Sequence, residues 1–488
     1  MSSFDYTTYL SPFTWRYGSD KMRQIWSEIY KRKLWRRVWV ALAKAQHEEG
    51  LITKTELDDL VKHQNEIDIE RAQKIEKDVR HDLMAEVKTY AQQARVGGGK
   101  IHLGATSMDI EDNADTVRLL ESLIIIEGKL KNLLLAFSKK IDAYKGLPCI
   151  GYTHLQPAEP TTVGYRLAFY AQDLLLDKNL LNFVIGQMKG KGMKGAVGTA
   201  ASYTLLLDRN KETLFSRKFE NKETLFSRKL ENKETLFSRK LENRVKVEEM
   251  EKKVMSELKI DAATITNQTA PRKFEFFVSC ALSSIAQSLY KFAFDLRLMQ
   301  SPGFGEWQEP FGAKQVGSSA MPFKKNPWKA EQICSLARLV FNLANIARDN
   351  SANMLLERTL DDSANRRVFI PEMFLAVDEI LESSTKIIEG LVINEKQIQR
   401  NLEKFGPAAA TEAILMAAVK EGADRQKMHE ILRELSMNTS TPLTKLLLND
   451  KRIMQFLNIS DIKKLLDPKN HIGLAVSYCE KIIREIEK

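Results

Sequence analysis

Residues 317–327 bring several chemically capable side chains together in one short segment. The sequence there is Gly-Ser-Ser-Ala-Met-Pro-Phe-Lys-Lys-Asn-Pro, which supplies two hydroxyls, two ammonium groups and an amide. Pro322 and Pro327 exclude a helix interior, because proline lacks a backbone donor and clashes with the preceding turn. The segment is therefore predicted to be a loop, and Gly305 and Gly312 ahead of it would let it move. A lysine-rich surface loop without a catalytic role is the alternative interpretation.

Six further short segments carry side chains of the kinds that bind or protonate anions. They contain Arg16 and Tyr17; Arg80, His81 and Asp82; His102, Thr106 and Ser107; Thr153 and His154; Gln268; and Arg358, Ser363 and Arg367. Histidine titrates near neutral pH and can act as a general acid, although a lone histidine is more often a packed structural residue. Gln268 lies in a polar turn before a predicted helix. This turn could bind an anion or simply cap the helix.

Composition and charge narrow the class of protein. Hydrophobic residues make up 43% and charged residues 28% of the 488 residues, which is the balance of a soluble globular protein. The net charge is +10, but basic and acidic residues are interspersed, so nucleic-acid binding is not predicted. No apolar run has the length of a membrane span and the N-terminus lacks the apolar core of a secretion signal, so a cytosolic protein is predicted.

The four cysteines indicate neither a disulfide framework nor a metal site. Cys149, Cys280, Cys334 and Cys479 lie far apart, and no two have Cys-x-x-Cys spacing. Three of them lie in apolar, helix-like surroundings, which predicts buried free thiols. No structural metal is expected.

The spacing of apolar residues predicts long helices and no sheet of consequence. Recurrence at three and four residues indicates amphipathic helices, and no segment sustains the alternation of a strand. The longest predicted helices cover residues 112–144, 161–188, 272–299 and 331–350. Near the N-terminus, Ser19 is predicted to cap a helix that ends near Gly50. The sequence therefore predicts an all-α helical bundle that is shared between subunits.

The middle of the chain holds an internal repeat. An 11-residue unit occurs three times with one substitution, in residues 210–220, 221–231 and 232–242. Its apolar residues fall near one face of a continuous helix, which predicts a helical extension or helical hairpin. Disorder and a coiled-coil partner site are the alternatives. The glycine-rich residues 189–199 just before the repeat are predicted to be a flexible connection.

Three segments carry a resemblance to a known family. Residues 318–327 fit Ser-Ser-x-Met-Pro-x-Lys-x-Asn-Pro, the signature of the fumarase/aspartase superfamily, whose members eliminate fumarate from a substituted succinate. Residues 153–157 fit the Thr-His-x-Gln-Pro sequence of the same superfamily. Residues 357–367 resemble the run of the adenylosuccinate lyase family that helps to hold the nucleotide phosphate, a role that suits the bidentate guanidinium of arginine. The chain thus resembles adenylosuccinate lyases from about residue 15 to about residue 435.

The resemblance implies a fold and an activity. The fold would be all-α with three helical domains: residues 1–110, residues 111–393 with the repeat at 210–242 inserted, and residues 394–488. The long helices of the central domain would form a 20-helix core in a homotetramer whose active sites are shared between subunits. The activity would be that of a cofactor-free carbon–nitrogen lyase of purine biosynthesis. It would release fumarate from adenylosuccinate to give AMP, and from SAICAR, the related imidazole-carboxamide intermediate, to give AICAR.

The resemblance also implies a role for each candidate residue. Ser318 corresponds to the catalytic base and His154 to the acid, Glu331 would orient His154, and Lys324 would stabilise developing negative charge. His81 would assist the histidine acid or bind at the phosphate side. The residues expected to bind substrate are Arg16, Tyr17, Arg80, Asp82, His102, Thr106, Ser107, Thr153, Gln268, Ser319, Asn326, Arg358, Ser363 and Arg367.

Two alternatives stay open on the sequence alone. Another fumarate-releasing lyase, such as argininosuccinate lyase or fumarase, would share Ser318 and His154 but would not need the arginines of residues 357–367. A catalytically inactive structural relative would not need to keep the serine, the lysine and both histidines together.

Overall fold

The computed structural model describes residues 7–208, 228–438 and 440–488, and of residues 228–241 the backbone alone. Helices dominate the described part of the chain. The α-helices are α1 (Asp20–Ile25), α2 (Glu28–Glu48), α3 (Lys54–His63), α4 (Ile69–Val79), α5 (Asp82–Gln93), α6 (Ser107–Tyr144), α7 (Val163–Gln187), α8 (Ala201–Leu207), α9 (Arg228–Leu258), α10 (Lys273–Gln300), α11 (Trp328–Ala352), α12 (Asp361–Gly390), α13 (Glu395–Ala409), α14 (Thr411–Lys420), α15 (Arg425–Ser436), α16 (Leu443–Asn449), α17 (Ile459–Leu465) and α18 (Ala475–Glu487). The strands are β1 (Pro148–Thr153), β2 (Gln156–Thr162), β3 (Trp307–Gln308) and β4 (Val392–Ile393), and 3-10 turns lie at Pro12–Thr14, Gly98–Lys100 and Pro468–His471.

The predicted all-α fold and its long helices are confirmed. Helices α6, α7, α10 and α11 match the four longest predicted helices, and no end differs by more than five residues. Helix α12, by contrast, was not predicted. It contains Pro371 inside its length and begins within the arginine-rich segment that the sequence had indicated only as a binding run.

The single helix predicted between Ser19 and Gly50 is two helices. Ser19 caps α1 as predicted, and its Oγ accepts a hydrogen bond from the Met22 amide at 3.3 Å. Ser27 caps α2 in the same way, accepting from the Tyr30 amide at 3.2 Å. The apolar periodicity runs across this break, so the spacing of apolar residues could not reveal it.

The chain divides into two compact units. The first comprises Met1–Ile125, Leu181–Leu282 and Asn342–Ala376, and the second comprises Ile126–Leu180, Ser283–Phe341 and Val377–Lys488. The three-domain division and the tetrameric core remain predictions.

The glycine-rich connection is packed into the first unit. Lys191 and Asp109 are both fully buried and form an ion pair, and Asp109 also accepts a hydrogen bond from the Gly195 amide at 3.1 Å. A Cβ added to Gly198 would lie 1.9 Å from the carbonyl oxygen of Thr266. The predicted flexible connection is therefore wrong: glycine is needed here for close backbone approach.

The second unit contains a hairpin that the sequence analysis missed. Strands β1 and β2 pair antiparallel and are joined by His154 and Leu155, whose φ angles are 53° and 60°. Positive φ at both central residues is the requirement of a type I′ turn, which normally selects glycine or asparagine. Neither residue has that signature, so nothing in the sequence pointed to this turn.

The repeat is described only in part. Residues 210–227 lie outside the described residues. The helix predicted for the first 11-residue repeat and for most of the second is therefore outside what the structure describes. Residues 232–242 lie within α9, so the backbone of the third unit is helical as predicted.

The cysteines are free thiols, and three of them are buried as predicted. Cys149, Cys334 and Cys479 are buried and Cys280 is half-buried. Burial raises the pKa of the Cys149 thiol to about 12, so it stays protonated and unreactive. Within the described ranges, no cluster of acidic, histidine and cysteine side chains is arranged to bind a metal ion. None of the described helices combines the length and the apolar character that crossing a membrane would require.

Candidate active site

A polar cavity in the first unit brings together nine of the predicted residues. Its volume is about 500 Å³. The predicted residues in its wall are Arg80, His81, Asp82, Thr106, Ser107, Gln268, Arg358, Ser363 and Arg367. They come from four segments that are far apart in the sequence, and the fold brings these segments together around one cavity.

The junction between α4 and α5 supplies one wall. Arg80 ends α4 in the left-handed region at φ 53°, and His81 caps α5, which turns the chain sharply between the two helices. The Nε2 atom of His81 lies 3.5 Å from Ser107 Oγ. Asp82 accepts a hydrogen bond from Arg367 at 2.7 Å. Burial raises the pKa of Asp82, but the charge and hydrogen bond of Arg367 outweigh burial, so that pKa lies below its usual range.

The start of α6 supplies a second wall. The Thr106 amide donates to Asp109 at 3.0 Å, and Asp109 is itself held by the glycine-rich segment. Thr106 and Ser107 therefore present their hydroxyls at the N-terminus of a 38-residue helix. Helix N-termini favour negatively charged groups, because the first backbone amides have no intrahelical acceptor.

Buried ion pairs hold the arginine-rich segment. Arg272 pairs with Asp112 at 2.9 Å and with Asp362 at 2.7 Å, and Arg366 pairs with Glu275 at 2.5 Å. The five side chains hold the start of α12 in place, and with it Arg358 and Arg367 in the cavity wall. Arg272, just before α10, is thus paired with the protein's own carboxylates.

Three predicted binding residues of the first unit, Arg16, Tyr17 and His102, do not line this cavity. Arg16 is exposed, and its guanidinium lies 5.8 Å from the ring centroid of Tyr17. Tyr17 packs edge-on against Phe13. The Nδ1 atom of His102 accepts a hydrogen bond from Trp39 at 3.1 Å, and burial lowers the pKa of that imidazole. His102 is thus a neutral, packed histidine in this chain.

The second unit carries the serine loop. The backbone amides of Ala320 and Met321 donate hydrogen bonds to Ser318 Oγ at 3.3 and 3.1 Å. The Asn326 side chain donates to the Gly317 carbonyl at 2.9 Å and so ties the two ends of the loop together. Amides that donate to a hydroxyl oxygen stabilise its ionised form more than its neutral form. The two bonds fix the position of the Ser318 hydroxyl within the loop.

The other predicted loop residues face outward. Ser319 and Lys324 are exposed, and Glu331 is exposed in the first turn of α11. A residue that the sequence analysis missed anchors this turn: the Glu309 carboxylate accepts hydrogen bonds from the Lys329 and Ala330 amides at 3.3 and 3.1 Å. Glu309 thus fixes the helix start that follows the serine loop.

His154 lies at the tip of the hairpin between β1 and β2. Both Thr153 and His154 are exposed. A non-glycine residue at positive φ costs about 1–3 kcal/mol, and such strain is concentrated at functional sites. Within the described parts of a single chain, no hydrogen bond or ion pair joins His154 to Ser318, Lys324 or Glu331.

The sequence matches two family profiles and several known adenylosuccinate lyases. The profile of a family described as "Lyase" matches residues 15–239 and 235–342, and that of "Adenylosuccinate lyase C-terminus" matches residues 407–482. The adenylosuccinate lyase of Schizosaccharomyces pombe is 35% identical over 99% of this chain and 95% of the relative. The chain belongs to the adenylosuccinate lyase family. Two further relatives support this membership. The adenylosuccinate lyase of Saccharomyces cerevisiae is 34% identical over 99% of this chain and 95% of the relative. The adenylosuccinate lyase of Archaeoglobus fulgidus is 33% identical over 98% of each chain.

Solved structures support the fold of the adenylosuccinate lyase family. A fumarate lyase from Mesorhizobium sp. BNC1 matches with a TM-score of 0.79 and 22% identity over 98% of this chain and 99% of its own. The 3-carboxy-cis,cis-muconate lactonizing enzyme from Pseudomonas putida matches with a TM-score of 0.80 and 21% identity over 96% and 98%. At these identities the likeness concerns the fold alone. The C-terminal profile decides the family against argininosuccinate lyase, which the sequence alone had left open.

The cavity also contains a residue that the motifs of adenylosuccinate lyases did not point to. Glu111 lies in its wall together with Met108 and Leu360. The helical spacing could have revealed Glu111, since it follows Ser107 by four residues and therefore lies on the same face of α6.

Gly317 provides a test of the loop geometry in this member of the adenylosuccinate lyase family. A Cβ at this position would lie 1.9 Å from the Lys324 carbonyl oxygen, so Gly317→Ala must separate the two ends of the loop. We expect kcat to fall about 10- to 100-fold, because a shift of about 1 Å would misplace Ser318, the predicted base. The melting temperature should change little, since the loop is exposed.

The matched control for this variant is Gly312→Ala. An added Cβ there would meet nothing closer than 3.8 Å, so steady-state kinetics should stay near those of the unmodified chain. Equal losses of kcat in both variants would contradict the close-approach explanation.

Proposed function

We propose that this chain cleaves adenylosuccinate to AMP and fumarate, and SAICAR to AICAR and fumarate, in the cytoplasm. The observation that carries the proposal is the cavity of the first unit, in which three side chains suited to a phosphate (Arg358, Ser363 and Arg367) stand beside hydroxyls at a helix N-terminus. Family membership supplies the reaction class, and the cavity supplies a place for the nucleotide.

The elimination requires removal of a weakly acidic proton beside a carboxylate. Serine is a poor base at neutral pH and must be activated. The two amides that donate to Ser318 Oγ supply part of that activation, because they stabilise the alkoxide before substrate arrives. Ser318 then takes the proton, and Lys324 stabilises the negative charge that spreads into the carboxylate. We assign Asn326 to positioning the loop, since its side-chain amide already ties the two ends of the loop together.

The leaving nitrogen requires a proton. We assign this to His154, since a histidine is a natural donor near neutral pH and the type I′ turn presents its ring at the tip of the hairpin. Glu331 would orient the ring. Since no contact joins these residues within the described parts of one chain, the proposal includes sites completed by neighbouring subunits. His81, which contacts Ser107, is assigned to the substrate pocket.

Exposed apolar side chains support assembly into a homotetramer. Phe169 and Leu176 on α7 are 55% and 60% exposed, and Phe294 on α10 is 49% exposed. Phe169 and Leu176 are seven residues apart and therefore share a helix face. Large apolar side chains grouped in this way are usually covered by a partner, here a second copy of the chain. Light scattering should give a mass close to four times 55.8 kDa.

The activity itself is tested by a substrate comparison. Purified protein is supplied separately with adenylosuccinate, argininosuccinate and malate, and fumarate release is measured. We expect kcat/KM for adenylosuccinate to exceed the other two by at least about 1,000-fold, because polar groups built for one substrate reject analogues that leave them unpaired. Absence of turnover on all three would support the inactive structural relative instead.

The repeat is expected to be peripheral to assembly and catalysis. Among the described side chains of α9, the buried ones begin at Val247 and continue through Leu258. Deleting residues 210–242 removes whole 11-residue units ahead of this packed part. The shortened chain should therefore remain a tetramer with kcat/KM within about threefold of the full chain.

The matched control is a deletion of residues 247–257, also eleven residues but inside the packed part of α9. We expect this chain to misfold. Loss of the tetramer in the first deletion, measured by light scattering, would show that the repeat takes part in assembly.

A further inference from the structure

Glu111 is the only acidic residue in the walls of both of two described cavities of the first unit, the 500 Å³ cavity and one of about 120 Å³ that shares part of its wall. Its side chain is half-buried. No described residue forms a hydrogen bond or ion pair with its carboxyl group, whereas the neighbouring Asp82 and Asp112 are both paired with arginines. Partial burial without a cationic partner favours the protonated form of a carboxyl group and leaves it open to contact by a ligand that enters the cavity.

We infer that Glu111 binds the phosphate end of the substrate as a neutral carboxyl that donates a hydrogen bond, so that nucleotide binding is coupled to the uptake of a proton. This inference rests on the proposed function. Arg358, Ser363 and Arg367 line both cavities together with Glu111, so a phosphate held by them would lie against its carboxyl group. A protonated oxygen there completes the set of donors, whereas an ionised one would repel the phosphate.

The charged surroundings favour the protonated form. Burial, followed by the carboxylates of Asp82, Asp115 and Asp112, raises the pKa of Glu111 to about 8 against the lowering effect of Arg367. The other charged or titratable side chains of the two cavities are Glu28 and Lys31 on α2, Glu76 on α4, Arg80 and His81 at the junction of α4 and α5, Arg118 on α6, and Arg358 and Arg366 around the start of α12.

The sign of the pH effect follows from that pKa. Below pH 8 Glu111 is mainly neutral and phosphate binding needs no proton from solvent. Above pH 8 it is mainly ionised and must take up one proton before the phosphate binds. The apparent Kd for a nucleotide should therefore rise about tenfold between pH 7 and pH 9.

AMP is the probe, because its phosphate has a second pKa near 6 and so remains a dianion between pH 7 and pH 9. Calorimetric titration of the full-length protein at pH 8, in two buffers of different ionisation enthalpy, measures proton uptake without any variant. We expect about 0.5 protons per site, since about half of Glu111 is ionised at that pH. Zero uptake together with a Kd that is flat from pH 7 to pH 9 overturns the inference.

Glu111→Gln keeps the shape of the side chain and a hydrogen-bond donor but cannot ionise. Its Kd for AMP should match that of the unmodified chain at pH 7 within about threefold and stay flat up to pH 9, with no proton uptake. Glu76→Gln is the matched control: it removes one acidic side chain from the same cavity and should keep the full pH dependence.

The outcomes separate the inference from the function it rests on. A Glu111→Gln variant whose Kd still rises tenfold overturns the role of Glu111 while leaving the proposed function intact. Failure of the unmodified chain to bind AMP at any pH overturns the proposed function, and the inference with it.

Discussion

Ser318→Ala is expected to reduce kcat for adenylosuccinate at least about 1,000-fold, because the loop then lacks the group that accepts the substrate proton. The backbone amides of Ala320 and Met321 that donate to Ser318 Oγ would lose their acceptor, but the tie between Asn326 and Gly317 would remain and keep the loop in place. Substrate binding should therefore stay within about threefold. Single-turnover kinetics measure the loss, and equilibrium titration with adenylosuccinate measures binding.

The neighbouring serine is the control for this experiment. Ser319→Ala removes a hydroxyl from the same loop, but Ser319 is exposed and its side chain accepts no hydrogen bond from the Ala320 or Met321 amides. We expect at most about a tenfold effect, and mainly in KM. Turnover of Ser318→Ala near that of the unmodified chain would remove Ser318 from the role of base. Equal losses in both variants would mean that loop order matters rather than the serine oxygen.

Periodicity predicted the long helices because their burial follows a spacing of three and four residues. The same signal failed at Ser27, where one hydroxyl caps a new helix while the apolar pattern continues. It also failed at the hairpin, where His154 and Leu155 adopt positive φ without glycine or asparagine to announce the turn. Both features are local, a side-chain cap and a pair of backbone angles, and the spacing of apolar residues records neither.

The candidate site was predictable as a set of residues but not as a geometry. Motif residues such as Arg80 and Ser363 do meet in one cavity, although they are far apart in sequence. His102 has the same motif context, but it contacts Trp39 and lies outside this cavity, so its binding role stays a prediction. Glu111 lay outside every motif. Only the folded chain places Glu111 in the walls of two cavities and close to Asp82, Asp112 and Asp115.

Breaking the buried ion cluster around Arg272 and Arg366 should destabilise the first unit strongly. Arg272 is 5% exposed and pairs with Asp112, Asp362 and, at 3.5 Å, Glu275. Arg272→Met preserves the apolar stem but removes the cation nearest to Asp112 and Asp362, and leaves them Arg366 at 3.7 and 4.0 Å. Breaking a buried pair in this way costs about 3–5 kcal/mol of unfolding free energy. We expect a melting temperature lower by about 10 °C, together with a higher KM, because Asp362 also lies 3.5 Å from Arg358 in the cavity wall.

The pH dependence identifies the cause of that loss. Burial raises the pKa of Asp112, but Arg272 and Arg366 outweigh burial, so the pKa lies below its usual range and Asp112 stabilises the fold above the pKa of the unfolded chain. Without Arg272 the Asp112 carboxylate loses its nearest cation and its pKa rises, so the difference in melting temperature should be largest near pH 8 and shrink towards pH 5. Arg433→Met, which breaks an exposed pair with Glu430, is the control and should leave the melting temperature nearly unchanged at either pH. A deficit of Arg272→Met that does not change with pH would point to lost packing instead of stranded charge.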